Sequence, residues 1–261
     1  MNISKFTKKV DSNEDYHSDP SISSSGLKVI ADRSVEYYLN RPPFKTTEAM
    51  ELGTAIHEKL LFPDQFDDQY FELPKLDLRK KADKEIAAEL KESNKGKIAM
   101  TTIQMNAING IYENAQKKQD VQKYLNGNIK EVSHYGKIEG IPVRFRPDCM
   151  DDRQKWISDI KSCQNNKPNK FRRDIYDRHY HVQAYFYSIC AGFDPKAFRF
   201  IAVETKPPYL VQVYGMSDQM IDNADYLFHE AFFSWKVYVE TGHVLGYMHH
   251  ECSDDDDAFL L

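Results

Sequence analysis

RPDCMDDRQKWISDIKS, residues 146–162, holds a turn-forming tract, DDRQ, between two strand-like runs, and it places Asp159 and Lys161 two apart inside the second, among Trp156, Ile157 and Ile160. Such a run reads as a strand, and side chains at i and i+2 of a strand share a face. Two opposite charges therefore point the same way from a segment that is otherwise built for burial. Folding the runs together about DDRQ brings Asp148, at the end of the first strand, beside Asp159. Neighbouring carboxylates repel, and one resists ionising unless a cation lies between them. A divalent ion with oxygen ligands removes that cost. A lysine next to it can stabilise charge on a phosphate or help deprotonate a water. The bland alternative is a solvated turn with an edge-strand ion pair, because Asp, Asp and Lys at loose spacing arise by chance.

Outward from this stretch, IKEVSHYGKIEGIPVRFRPDCMDDRQKWISDIKS (129–162) reads as three antiparallel strands with turns at EG and DDRQ. A helix is expected from about Asp174 to Ala191, two strands in KAFRFIAVET and YLVQVYGM, and a long helix from about Asp218 to Glu240. Upstream, PSISSSGLKVIADRSVEYYLN starts with serines suited to capping a helix and stops at the two prolines of RPPF. A second helix, Glu48 to Leu61, carries His57, and residues 80–95 and 99–125 read as two more. This order specifies an α/β (α+β) domain with a mixed central sheet flanked by helices. One domain is expected over 1–252, with a helical part at 15–125 and the catalytic sheet and helices at 126–245. The acidic stretch 253–261, SDDDDAFLL, reads as a disordered tail, with a partner-docking peptide as the weaker alternative.

The 261 residues contain no apolar run near the roughly 20 that span a bilayer, and the N-terminus lacks the apolar core of a signal peptide. A cytoplasmic protein without membrane contact is expected. Four cysteines with no CxxC pair argue against a zinc ribbon or a disulfide framework. A net charge of -5 argues against a surface coated for phosphate. One local patch runs the other way: Lys161, Lys167, Lys170, Arg172, Arg173 and Arg178 stand against only Asp174 and Asp177, as a phosphate track would.

The spacing D-x10-D-x-K, with Pro147 before Asp148, resembles the PD-(D/E)XK nuclease motif. LGTAIHEKL supplies Gly53 and His57 as GxxxH, and HVQAYFY supplies Gln183 and Tyr187 as QxxxY, both of which accompany that motif in the RecB-like branch. Gln183 and Tyr187 are i and i+4 on a helix and face the same way. From YHSDPSISSSGL through LGTAIHEKLLFP, RFRPD, SDIKS and YDRHYHVQAYFYS, the chain resembles the nuclease domain of RecE-type exodeoxyribonuclease VIII of prophages.

The resemblance implies a restriction-endonuclease-like core and a Mg2+-dependent exonuclease, with Mn2+ as a substitute. Such enzymes digest linear double-stranded DNA 5′ to 3′ and leave a 3′ single strand for a RecT-type annealing protein in recombination and repair. It implies His57, Asp148 and Asp159 as metal ligands together with the Ile160 carbonyl, and Lys161 as the catalytic lysine. Gln183 and Tyr187 would support the site and contact DNA, and Glu131 would take a second-shell or second-metal role. A homo-oligomeric ring, expected as a tetramer, would enclose the DNA. Ser162 departs from the family's more usual threonine, and the long N-terminal extension of some members has no counterpart, so a nuclease domain standing alone is expected. A RecB-like repair endonuclease and a catalytically inert DNA-binding protein are the alternatives; the cysteine positions disfavour an iron-sulphur relative.

Overall fold

The computed structural model describes residues 1–43, 45–77 and 79–247. At its centre lies the strand Trp156–Cys163, buried along most of its length because both faces are covered. It runs parallel to Phe198–Glu204, with Asp159 opposite Phe200 and Lys161 opposite Ala202. On its other side Cys149–Asp151 pairs antiparallel, and Val211–Tyr214 and Ile129–Lys130 form the edges of this five-stranded mixed sheet. A parallel neighbour requires a crossover, which the helices Pro168–Asp177 and Tyr180–Ala191 supply.

Each face of the sheet has its own core. Ile157, Phe198, Phe200 and Ala202 pack with residues of Ser24–Asp32, Tyr180–Ala191 and Asp218–Thr241. Trp156, Ile160, Ile201 and Val203 pack with residues of Glu48–Leu61, Thr102–Gln116 and Gln119–Leu125. Strand alternation then puts Asp159 and Lys161 on the face of Ile157, toward the helix that carries Gln183. The two charges of the central strand are thus directed at the Gln183 side chain.

The structure corrects several expected elements. The three strands expected over 129–162 are five, divided between two sheets. Glu131 takes the left-handed conformation (φ 50°) and ends the first run after Lys130. Ser133–Ile138 and Ile141–Phe145 form a hairpin about Glu139 and Gly140, both at positive φ, and join Thr7–Lys9 and Ile22–Ser23 in a four-stranded sheet. Pro147, with no N–H to donate, falls in the link between the sheets. Asp148 is therefore not at the end of a strand but in that link, directly before Cys149–Asp151.

The helix expected over 174–191 starts earlier, with Pro168 in its first turn, and divides at His179 (φ 51°). The stretch 99–125 begins as the strand Ile98–Thr101, paired with Tyr70–Leu73, before two helices follow. The first serine-rich helix ends at Asp32, and Ser34 caps a separate one, Val35–Asn40. The acidic stretch 253–261 and Cys252 lie outside the described residues. No helix among the described residues is long and apolar enough to cross a membrane.

Candidate metal centre and cleft

His57 rides on Glu48–Leu61, whose start is capped by the Thr47 hydroxyl and whose buried Ala55, Ile56, Leu60 and Leu61 fix its roll against the sheet. This leaves the imidazole half-buried above the central strand. Its Nε2 lies 2.9 Å from the Ile160 carbonyl oxygen and its Nδ1 3.4 Å from Asp148 Oδ2. A carbonyl only accepts, so Nε2 carries a proton in this arrangement. The Ile160 N–H donates to Asp148 Oδ2 at 2.6 Å, so the backbone N–H and C=O of this one strand residue are bracketed by the aspartate and the histidine. The Glu131 N–H donates to the Asp148 carbonyl at 3.2 Å, and its left-handed backbone turns its carboxyl inward. One potential ligand atom from each of His57, Glu131 and Asp148 lies within 4.8 Å of the others.

Burial, then the charge of Asp148, pushes Glu131 up to about 8. Burial, then the charge of Asp159, pushes Asp148 up to about 6. These carboxyls crowd one another without enough positive charge between them. An imidazole nitrogen, carboxylate oxygens and a backbone carbonyl form a donor set that can hold a divalent cation, so the residues present fit the kind of ion that the motif implies.

Asp159 is 2 % exposed. Its Oδ1 accepts from Gln183 Nε2 at 2.8 Å, and its Oδ2 meets the Lys161 ammonium as an ion pair without hydrogen-bond alignment. Asp159 therefore stands next to the three-residue group, its charge met by protein partners, whereas Glu131 belongs to that group. Tyr187 is buried against Phe145, and its hydroxyl accepts from Ser24 at 3.3 Å. The serines expected as a helix cap do something different: Ser23 occupies the cap position without a side-chain bond, and Ser24 braces Tyr187.

A cleft of about 830 Å3 opens over the site, lined among others by Gly53, His57, Glu131, Lys161 and Tyr180. A Cβ on Gly53 would meet only Ser162 Oγ, at 3.8 Å, so the glycine leaves open space in this wall. Lys167, Lys170, Arg172, Arg173 and Arg178 are solvent-exposed along Pro168–Asp177 and its ends, outside the cleft lining, while Phe171 and Ile175 turn inward. Arg178 sits at the end nearest Tyr180, which does line the cleft.

The remaining wall, which sequence reasoning missed, is the segment Val10–Asn13. It is tied down by Arg146, which donates from Nη2 to Asp11 Oδ1 at 2.6 Å and from Nη1 to Asn13 Oδ1 at 2.6 Å. A contact across about 135 positions has no local sequence signal beyond the presence of an arginine beside the Pro147–Asp148 pair.

Together, fold and site define a PD-(D/E)XK-type core: a mixed sheet sandwiched by helices, with acidic, histidine and lysine side chains gathered at its central strand. Residues 23–237 match the PDDEXK-like domain of unknown function (DUF3799), and the chain belongs to that family. A crystal structure of a protein from Eubacterium rectale, provisionally described as an exonuclease, is similar over 90% of this chain and 88% of that one, with a TM-score of 0.58 at 15% identity. That likeness is one of fold. No curated protein matches the chain.

Proposed function

We propose that the protein is a Mg2+-dependent exonuclease of the RecE type, digesting linear double-stranded DNA 5′ to 3′ and leaving 3′ overhangs. One observation carries the reading: His57 and Asp148 converge on the Ile160 backbone, with Glu131 within 4.8 Å of both, beside a lysine held by Asp159. His57, Asp148, the Ile160 carbonyl and a carboxylate of Asp159 or Glu131 would hold the ion, with Mn2+ able to replace Mg2+. When bound, it supplies an acidified water and neutralises charge on the phosphate. Lys161, anchored by Asp159 and by Gln183 Oε1 at 3.2 Å, directs a cation at the phosphate oxygens. The Ser24–Tyr187 bond ties the Gln183 helix to Ser24–Asp32, and the exposed basic run from Lys167 to Arg178 would lead the DNA backbone toward the cleft. A ring of copies, expected as a tetramer, would keep the duplex engaged, and a RecT-type annealing protein would take the exposed strand in a cytoplasmic recombination step.

Digestion of linear duplex labelled at its 5′ or its 3′ end, with Mg2+, tests this. The 5′ label is expected to be lost first with the wild type and retained with Lys161→Ala or Asp159→Ala. Cutting of closed circular DNA would point instead to a RecB-like endonuclease, and absence of any metal-dependent nucleotide release to an inert DNA-binding protein.

A further inference from the structure

We propose that Lys28 is a positioning residue of the cleavage centre, holding the Gln183 amide in the orientation that lets Gln183 donate to Asp159. The proposal rests on the nuclease reading and adds a residue that none of the motifs marks.

Lys28 projects from Ser24–Asp32, and its Nζ donates to Gln183 Oε1 at 3.3 Å. Lys161 Nζ donates to the same oxygen at 3.2 Å. A carboxamide oxygen has two lone pairs, and here a lysine Nζ donates to each. The amide nitrogen is thereby left to face the carboxylate, and it donates to Asp159 Oδ1 at 2.8 Å. Reversing the amide would set its N–H groups against two lysines and its oxygen against a carboxylate, losing three charge-assisted bonds at once. The side chain is 7 % exposed, so water cannot readily replace them.

Tyr180 covers the arrangement, its ring centroid 4.5 Å from Lys161 Nζ and 5.3 Å from Lys28 Nζ. It is placed there by the helix break at His179, which Lys28 also faces. A second ammonium beside the first is unfavourable in itself. Burial, then Lys161, brings Lys28 down to about 7, with Arg178 acting in the same direction and Asp159 opposing. Charged or neutral, the amine still donates to Oε1, so the bond that matters survives either state. Lys28 is absent from the cleft lining, which is why it positions rather than touches substrate.

The test compares wild type, Lys28→Met, Lys28→Arg, Gln183→Ala and the double variant Lys28→Met/Gln183→Ala. On a short end-labelled duplex with Mg2+, Lys28→Met is expected to lower kcat roughly tenfold with KM for DNA little changed, the size of one lost charge-assisted bond. Lys28→Arg should recover most of the rate, and Lys28→Met should add little in the Gln183→Ala background. A second readout needs neither metal nor DNA. In 15N spectra the Gln183 side-chain amide, assigned by its loss in Gln183→Ala, should resist hydrogen exchange in the wild type and in Lys28→Arg and exchange faster in Lys28→Met.

Wild-type kcat in Lys28→Met, or a full additional loss in the double variant, would overturn the proposal. Should Lys28→Met fail to fold, Lys28→Gln against Lys28→Arg decides on the same measurements. If the wild type releases no nucleotides with any divalent ion, the nuclease reading falls, and the amide exchange still decides whether Lys28 fixes Gln183.

Discussion

Asp159 and Lys161 stand on one face of a strand covered on both sides, and neither charge is tolerable there alone. Lys161→Met would leave a buried carboxylate with Gln183 as its sole donor. It is expected to abolish cleavage and to cost roughly 2–4 kcal/mol in urea unfolding. Asp159→Asn together with Lys161→Met should recover much of that stability and none of the activity. At the same scale, Asp11 gives the fold an acid-sensitive tie. Burial raises its carboxyl, but the bonds from Ser133, Tyr135 and Arg146 outweigh this and bring it down to about 2. Its stabilisation is therefore fully present above the ordinary carboxylate range and is lost as pH falls from about 4 to 2. Urea midpoints at pH 6 and pH 3 should converge more closely in Asp11→Asn than in wild type. The pairing of Asp159 with Lys161 and of Gln183 with Tyr187 was legible in the sequence because strand and helix periods alone fix it. Lys28 on Gln183 and Arg146 on Asp11 were not, since both bridge well over a hundred residues.

At the scale of elements, periodicity located the Glu48–Leu61 helix, the central strand and the final helix almost to the residue. It failed where single residues interrupt a pattern. Glu131 and His179, both left-handed without being glycine, split a strand run and a helix that look continuous in hydrophobicity. The first of these breaks brings the Glu131 carboxyl to His57 and Asp148, and the second seats Tyr180 over two lysines. Thr101 and Gln104 form a capping box at the start of Thr102–Gln116, remote from the chemistry. Thr101→Ala should lower stability by about 1 kcal/mol in denaturant unfolding and leave cleavage unchanged. Gly53→Ala separates two effects: alanine should stabilise the helix interior by roughly 0.5–1 kcal/mol, while its methyl group narrows the cleft toward Ser162. A raised KM for DNA with kcat retained is the expected outcome.

For the molecule as a whole, the two hydrophobic cores on opposite faces of one sheet hold the candidate ligands from different directions. His57 comes from the helical layer on one side, and Asp148 and Glu131 come from links in the sheet that separates the cores. An ion shared among them would fasten the layers together and should raise the thermal midpoint with the logarithm of its concentration once that exceeds Kd. Ten-millimolar Mg2+ is expected to stabilise the wild type and to have little effect on Asp148→Asn. The most direct measurement is anomalous diffraction from crystals grown with Mn2+. A peak bonded by His57, Asp148 and the Ile160 carbonyl, with Glu131 or Asp159 completing the set, is the predicted result. Density for the ion elsewhere, with these side chains left as they stand, would contradict the account.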